Sequence, residues 1–179
     1  ITAANRIIEM DENTDDAFAL SFINRYAQDY DIIIVSIASC EDTYGLVGKD
    51  FFDNLKQDSV FINISRWNVI DEDALIDQIK KGKFRGVALD VMKTEPLDEN
   101  NCLWDLDGLY ITPHNSFISD KIHTRMFKVI LDGLLTFKEG QWHEDFINCN
   151  RAKSHLPISF TTYKYAEGTR ARNPCCSKI

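Results

Sequence analysis

The sequence contains no apolar run approaching the roughly 20 residues that a membrane-spanning helix needs, which excludes an integral helical membrane protein. It also lacks a basic start followed by an apolar stretch, so no secretory signal is visible. The first residue is Ile, not Met, and the chain is expected to be a processed product or a portion of a longer protein. Cysteine is sparse and scattered: Cys40, Cys102, Cys149, Cys175 and Cys176 are odd in number and form no Cys-x-x-Cys pair. That usage argues against a disulfide framework and against a zinc site, and it suits a reducing cytosol. Basic residues are scarce in the body. Ile1 to Cys149 carries 14 Lys+Arg against 27 Asp+Glu, whereas Asn150 to Ile179 carries six basic residues and only Glu167 acidic. So acidic a body repels nucleic acid. The basic tail reads as a solvated segment.

Between Asp31 and Gly140 short apolar runs alternate with amphipathic stretches. Asp31 to Ala38, Ser59 to Ser65, Phe84 to Val91 and Gly108 to Thr112 read as buried parallel strands. Gly48 to Lys56 places Phe51, Phe52 and Leu55 at helical spacing. Asp71 to Gly82 reads as a complete helix, with acids first, lysines last and Gly82 at the C-terminal cap. A further helix is expected from about Ile118 to Lys138, with Met126, Phe127, Ile130, Leu131, Leu134 and Leu135 on its apolar side. This grammar predicts an α/β open, doubly wound parallel sheet over residues 1–141, best defined over 31–140. Residues 142–179 show no sustained period and read as an irregular tail rather than a second domain.

Ligands of such sheets gather at the carboxyl ends of the strands. The polar residues expected there are Ser65 and Arg66, Asp90 followed by Glu95, and His114. A histidine can exchange a proton near neutral pH, a neighbouring carboxylate fixes its tautomer, and an arginine fork matches a substrate carboxylate. The three together suit acid/base work on a small carboxylated molecule. Plainer readings also stand: Arg66 as a surface charge, Glu95 as a turn residue before Pro96, His114 as a loop histidine after Pro113.

The ordered words narrow the choice. Asp42-Thr-Tyr-Gly-Leu46, Asn63-Ile-Ser-Arg66, Val69 to Leu75, Gly86-Val-Ala-Leu-Asp-Val91, Glu95-Pro96, Leu103-Trp104 and Thr112-Pro-His114 follow one another. This series resembles the D-isomer-specific 2-hydroxyacid dehydrogenase family over roughly residues 31–140. The resemblance implies that Arg66 holds the carboxylate and carbonyl of a 2-keto acid. It implies that His114 protonates the keto oxygen during reduction, or takes the hydroxyl proton in oxidation, and that Glu95 hydrogen-bonds His114. By the same resemblance, Asp90 meets the nicotinamide carboxamide, Ile37, Ile64 and Ser65 line the dinucleotide, and Asn115 and Ser116 face the nicotinamide ring. Homodimers are common in the family. Trp67 departs from the pattern, since glycine usually follows the active-site arginine.

One family feature is missing. No Gly-x-Gly-x-x-Gly occurs, and there are only eight glycines in all. That loop follows the first strand and lets backbone amides approach the pyrophosphate. Ile1 to Arg6 matches the second strand, so the sheet is expected to be an incomplete, Rossmann-like one without its first strand and glycine-rich loop. Residues 1–30 should then be poorly anchored, because the first strand would join strands 2 and 3 to the rest. The cofactor is expected to be NAD or NADP, bound weakly by this chain, with little catalysis. If Asn5 and Arg6 close the second strand, Arg6 can meet a 2′-phosphate, which leans toward NADP; an exposed arginine on a frayed end is the alternative. The leading expectation is part of an oxidoreductase. A non-catalytic dinucleotide-sensing module, or an inactive fragment of the same family, is its rival. The expected location is cytoplasmic; the ending Ser177-Lys-Ile179 only approximates a peroxisomal Ser-Lys-Leu address.

Overall fold

A computed structural model describes residues 2–5, 14–138 and 160–163. Its strands are β1 (Thr2–Asn5), β2 (Asp16–Ala19), β3 (Ile32–Val35), β4 (Ser59–Asn63), β5 (Phe84–Leu89), β6 (Leu109–Ile111) and β7 (Phe160–Tyr163). The helices are α1 (Ile23–Tyr26), α2 (Lys49–Asn54), α3 (Glu72–Lys80) and α4 (Ile122–Lys138). All seven strands form one sheet in the order β2-β1-β7-β3-β4-β5-β6. Every neighbouring pair is parallel except the two that involve β7, which runs antiparallel to both β1 and β3.

The expected elements form for the expected reasons. In β3, β4 and β5 the apolar residues Ile33, Val35, Phe61, Val87 and Leu89 are buried on a parallel sheet. Below them Phe52 is fully buried, its ring edge-on to Phe51, Phe61 and Phe84 at centroid distances of 5.8, 5.2 and 6.2 Å. Asp71 caps α3 by accepting the Ala74 amide at 3.0 Å, and Gly82 ends that helical segment at φ 69°, where a side chain would be strained.

Two expectations are corrected. Residues 142–179 are not irregular throughout, because Phe160–Tyr163 forms β7. Nor are β1 and β2 left unanchored: β7 occupies the central slot where the first strand was missed, pairing Ala3 with Thr161 on one side and Ile33 with Thr162 on the other. The physical reason is hydrogen-bond accounting. Without β7, the facing edges of β1 and β3 would each present a row of unpaired N–H and C=O groups. An aromatic and β-branched Phe-Thr-Thr-Tyr segment suits a strand that satisfies both. The 14–30 region is packed as well, with Ile23 and Ala27 buried and the Phe18 ring 4.7 Å from Tyr26. The remainder of the tail lies outside the described residues, as does the 141/142 boundary.

α4 begins at Ile122 rather than Ile118. Its apolar residues are exposed, Phe127 at 67% and Leu134 at 61%. No described helix is long and apolar enough to cross a membrane.

Candidate active site

The carboxyl ends of the parallel strands are held level by bonds that continue each ladder one residue beyond its strand. Ile64 donates to the Val35 carbonyl, Asp90 to Asn63 and Thr112 to Leu89, all at 3.0 Å. Ser65 and Arg66 beyond β4, Asp90 beyond β5, and Thr112 to His114 beyond β6 therefore share one edge of the sheet.

On that edge Glu95 and His114 meet. His114 Nδ1 lies 2.8 Å from Glu95 Oε2, and the other carboxylate oxygen accepts the Met92 amide at 2.9 Å. An ionised carboxylate only accepts, so Nδ1 carries the proton of this bond and Nε2 is left outside it. Burial alone would raise the pKa of Glu95; the hydrogen bonds from His114 and the Met92 amide outweigh it and hold the carboxyl below its usual range. The His114 backbone is left-handed, at φ 52°, and its amide donates to the Thr112 carbonyl at 3.0 Å. A non-glycine residue in this region is strained, and such residues gather at functional sites.

Asp90 fixes the turn that carries the histidine. Its carboxylate accepts the Thr112 hydroxyl at 2.6 Å and the amides of Asn115 and Ser116 at 2.9 Å each. Burial alone would raise its pKa. The hydroxyls of Ser116 and Thr112 and the two amides outweigh it and hold the pKa at about 2.

A cavity of about 660 Å³ opens beside the pair. Around Glu95 and His114 it is walled by Met92, Pro96, Leu97, Trp104, Ile111 and Pro113. Arg66 does not line it. Its guanidinium is exposed beyond β4, and Nη1 donates to the Ser65 carbonyl at 2.7 Å.

The family model described as D-isomer specific 2-hydroxyacid dehydrogenase, NAD binding domain, matches residues 1–116. The chain belongs to this family. The glyoxylate reductase/hydroxypyruvate reductase of Homo sapiens is 35% identical over 111 residues, which cover 62% of this chain and 34% of that protein. The glyoxylate reductase of Korarchaeum cryptofilum is 26% identical over 75% of this chain and 41% of its own length. Among solved structures, a probable 2-hydroxyacid dehydrogenase from Rhizobium etli, in complex with NADP, superposes with a TM-score of 0.70 at 24% identity. That match covers 84% of this chain and 47% of the other. The chain thus spans less than half the length of these relatives.

Within this member of the family, the other residues expected to meet the cofactor occupy varied settings. Ile37 is 2% exposed in the core cluster, so its side chain faces the sheet packing. Ile64 is 40% exposed at the strand-end edge. The Ser65 hydroxyl is turned inward, donating to Asn63 Oδ1 at 2.6 Å. Trp67, the departure after Arg66, opens a short 3-10 turn and is 39% exposed. Arg6 lies outside the described residues. Two contributors carry no role in the sequence reading: Thr112, which holds Asp90, and Trp104, which walls the cavity. Their signal was their place in the words Leu103-Trp104 and Thr112-Pro-His114.

The described residues fit only part of a dinucleotide. The edge beyond β4 to β6 offers polar groups for a nicotinamide end. The pyrophosphate would need a strand leading through a glycine-rich turn into a helix N-terminus. The central slot instead holds β7, which runs the opposite way and so carries no such turn at this edge.

Proposed function

We propose that this chain supplies the acid/base and carboxylate-binding part of an NAD(P)-dependent oxidoreductase that interconverts small 2-keto acids and D-2-hydroxy acids. The observation that carries this reading is the 2.8 Å contact between His114 and Glu95 at the common strand-end edge, beside a cavity. A bound nicotinamide cofactor supplies or accepts the hydride. His114 Nε2 gives its proton to the keto oxygen during reduction and takes the hydroxyl proton in oxidation. Glu95 holds the tautomer and offsets the imidazolium charge. Arg66 exchanges its bond to the Ser65 carbonyl for the carboxylate of the substrate, which suits its planar fork. Asp90, Asn115 and Ser116 shape the nicotinamide end. The cofactor is NAD or NADP, in keeping with the NAD binding domain that the family model describes, and the lean to NADP rests on Arg6. With this reading go a homodimer, as the family resemblance implies, and a reducing cytosol, on the free thiols of Cys40 and Cys102.

A second reading, a non-catalytic dinucleotide-sensing module or inactive fragment, is favoured by one observation: β7 fills the slot of the loop-bearing strand. Turnover of glyoxylate and hydroxypyruvate with NADH and NADPH separates the two, on this chain and on any longer protein that contains it. The catalytic reading expects His114→Ala to lower kcat by roughly 100-fold or more and Arg66→Ala to act mainly on KM. Turnover left intact by both substitutions would defeat it.

A further inference from the structure

We infer that the cavity beside the Glu95–His114 pair receives the side chain of the 2-keto acid and selects an apolar one, of branched aliphatic size, over a hydrogen or a hydroxymethyl group. This rests on the proposed function, since it places the reacting carbonyl at His114. The volume of about 660 Å³ lies within the roughly 300–1,000 Å³ range of small-molecule sites and exceeds what a one-carbon side chain would fill. Its walls decide the chemistry. Met92, Pro96, Leu97, Ile111 and Pro113 have no side-chain N–H or O–H to offer. The indole N–H of Trp104 is spent on the Asp98 carbonyl at 2.9 Å. Both oxygens of Glu95 are engaged, by His114 and by the Met92 amide. A hydroxyl placed against these five apolar walls, away from the Glu95–His114 end, would lose its water and find no side-chain partner, and an anionic group would face the Glu95 carboxylate. Trp104 itself is 54% exposed, a large aromatic surface at the mouth that packing within the described residues does not cover. A ligand side chain entering the cavity would cover it.

The test is a set of titrations of the complete chain with glyoxylate, hydroxypyruvate and 4-methyl-2-oxopentanoate, with and without NADPH. Binding is followed by the methyl resonance of Met92 in methionine-labelled protein. The branched acid is expected to shift the Met92 methyl saturably and to bind roughly tenfold or more tightly than glyoxylate, the scale on which a pocket reads a single added carbon. Trp104→Ala should abolish that ratio. Trp104→Phe, which also loses the bond to Asp98 but keeps a ring, should preserve it. Equal affinities for the three acids, or a Met92 methyl that the branched acid leaves unmoved, would overturn the pocket assignment while leaving the proposed function standing. Absence of binding by every 2-keto acid, with binding unaltered by Arg66→Ala, would overturn both.

Discussion

Thr112 donates its hydroxyl to Asp90 at 2.6 Å, tying the end of β6 to the end of β5 just before the chain turns through His114. Because Asp90 also accepts the two amides beyond the histidine, a single carboxylate sets the position of His114. Asp90→Asn keeps the shape but loses the charge and one acceptor, so at least one buried donor goes unpaired. A loss of about 2 kcal/mol in unfolding free energy at pH 7 is expected by denaturant titration. The pH dependence has a definite sign. The folded-state pKa of Asp90, about 2, lies below the ordinary carboxylate value. Its contribution is therefore fully present above about pH 5 and is lost as pH falls through about 4 toward 2. In that window the stability of Asp90→Asn should fall less steeply than that of the parent; identical slopes would refute the assignment.

Glu95 offers a second titration. Its carboxyl stays below the usual range only because bonds from His114 and the Met92 amide outweigh burial. Removing the imidazole in His114→Ala deletes the strongest of those bonds, so the Glu95 midpoint, read from its side-chain carboxyl carbon by NMR, should move upward. A midpoint unchanged by the substitution would mean that the 2.8 Å contact does not persist in solution.

Much of this site was legible from residue order, because strand ends of a parallel sheet are addressed by sequence: a buried apolar run locates the strand, and the polar residue after it must sit at the carboxyl edge. Arg66, Asp90 and His114 each follow that rule. The cap at Asp71 and the stop at Gly82 were readable for the same reason, since local backbone geometry demands those residue types. β7 was not readable. Four residues are too few for a periodicity, and its place is set by unpaired edges more than 120 residues away in sequence, at β1 and β3. The orientation of Arg66 was equally hidden, because a flexible guanidinium chooses among nearby acceptors and the Ser65 carbonyl lies within 2.7 Å.

The position of β7 carries its own prediction. It is the one described strand that joins β2–β1 to β3–β6, so deleting residues 160–179 should release both edges at once. Hydrogen exchange at Ala4 and Ile34, whose amides face β7 in the alternation of the ladders, is expected to quicken on the order of tenfold or more, the scale of one or two lost ladder bonds. Ala3 and Ile33 face β2 and β4 and should change less. Protection within β4 and β5 should persist. Uniform loss across the whole sheet would show instead that the tail is needed for folding of every strand, and unchanged exchange would show that β7 is not paired in solution.

Phe52 tests whether the helix side of the sheet sustains the edge that bears the site. It is fully buried, belongs to α2, and touches rings from its own helix, from β4 and from β5. Those two strands end at Asn63 and Leu89 and lead directly to Arg66 and Asp90. Phe52→Ala opens a cavity beneath both and should cost about 3–5 kcal/mol, with Phe52→Leu costing less because part of the volume is refilled. The strand-end bonds are made by backbone groups that the ring only supports from below. In variants that remain folded, the Asp90-held amides of Asn115 and Ser116 should therefore keep their slow exchange. If they lose it while the global transition is intact, the edge depends on core packing rather than on the Asp90 carboxylate.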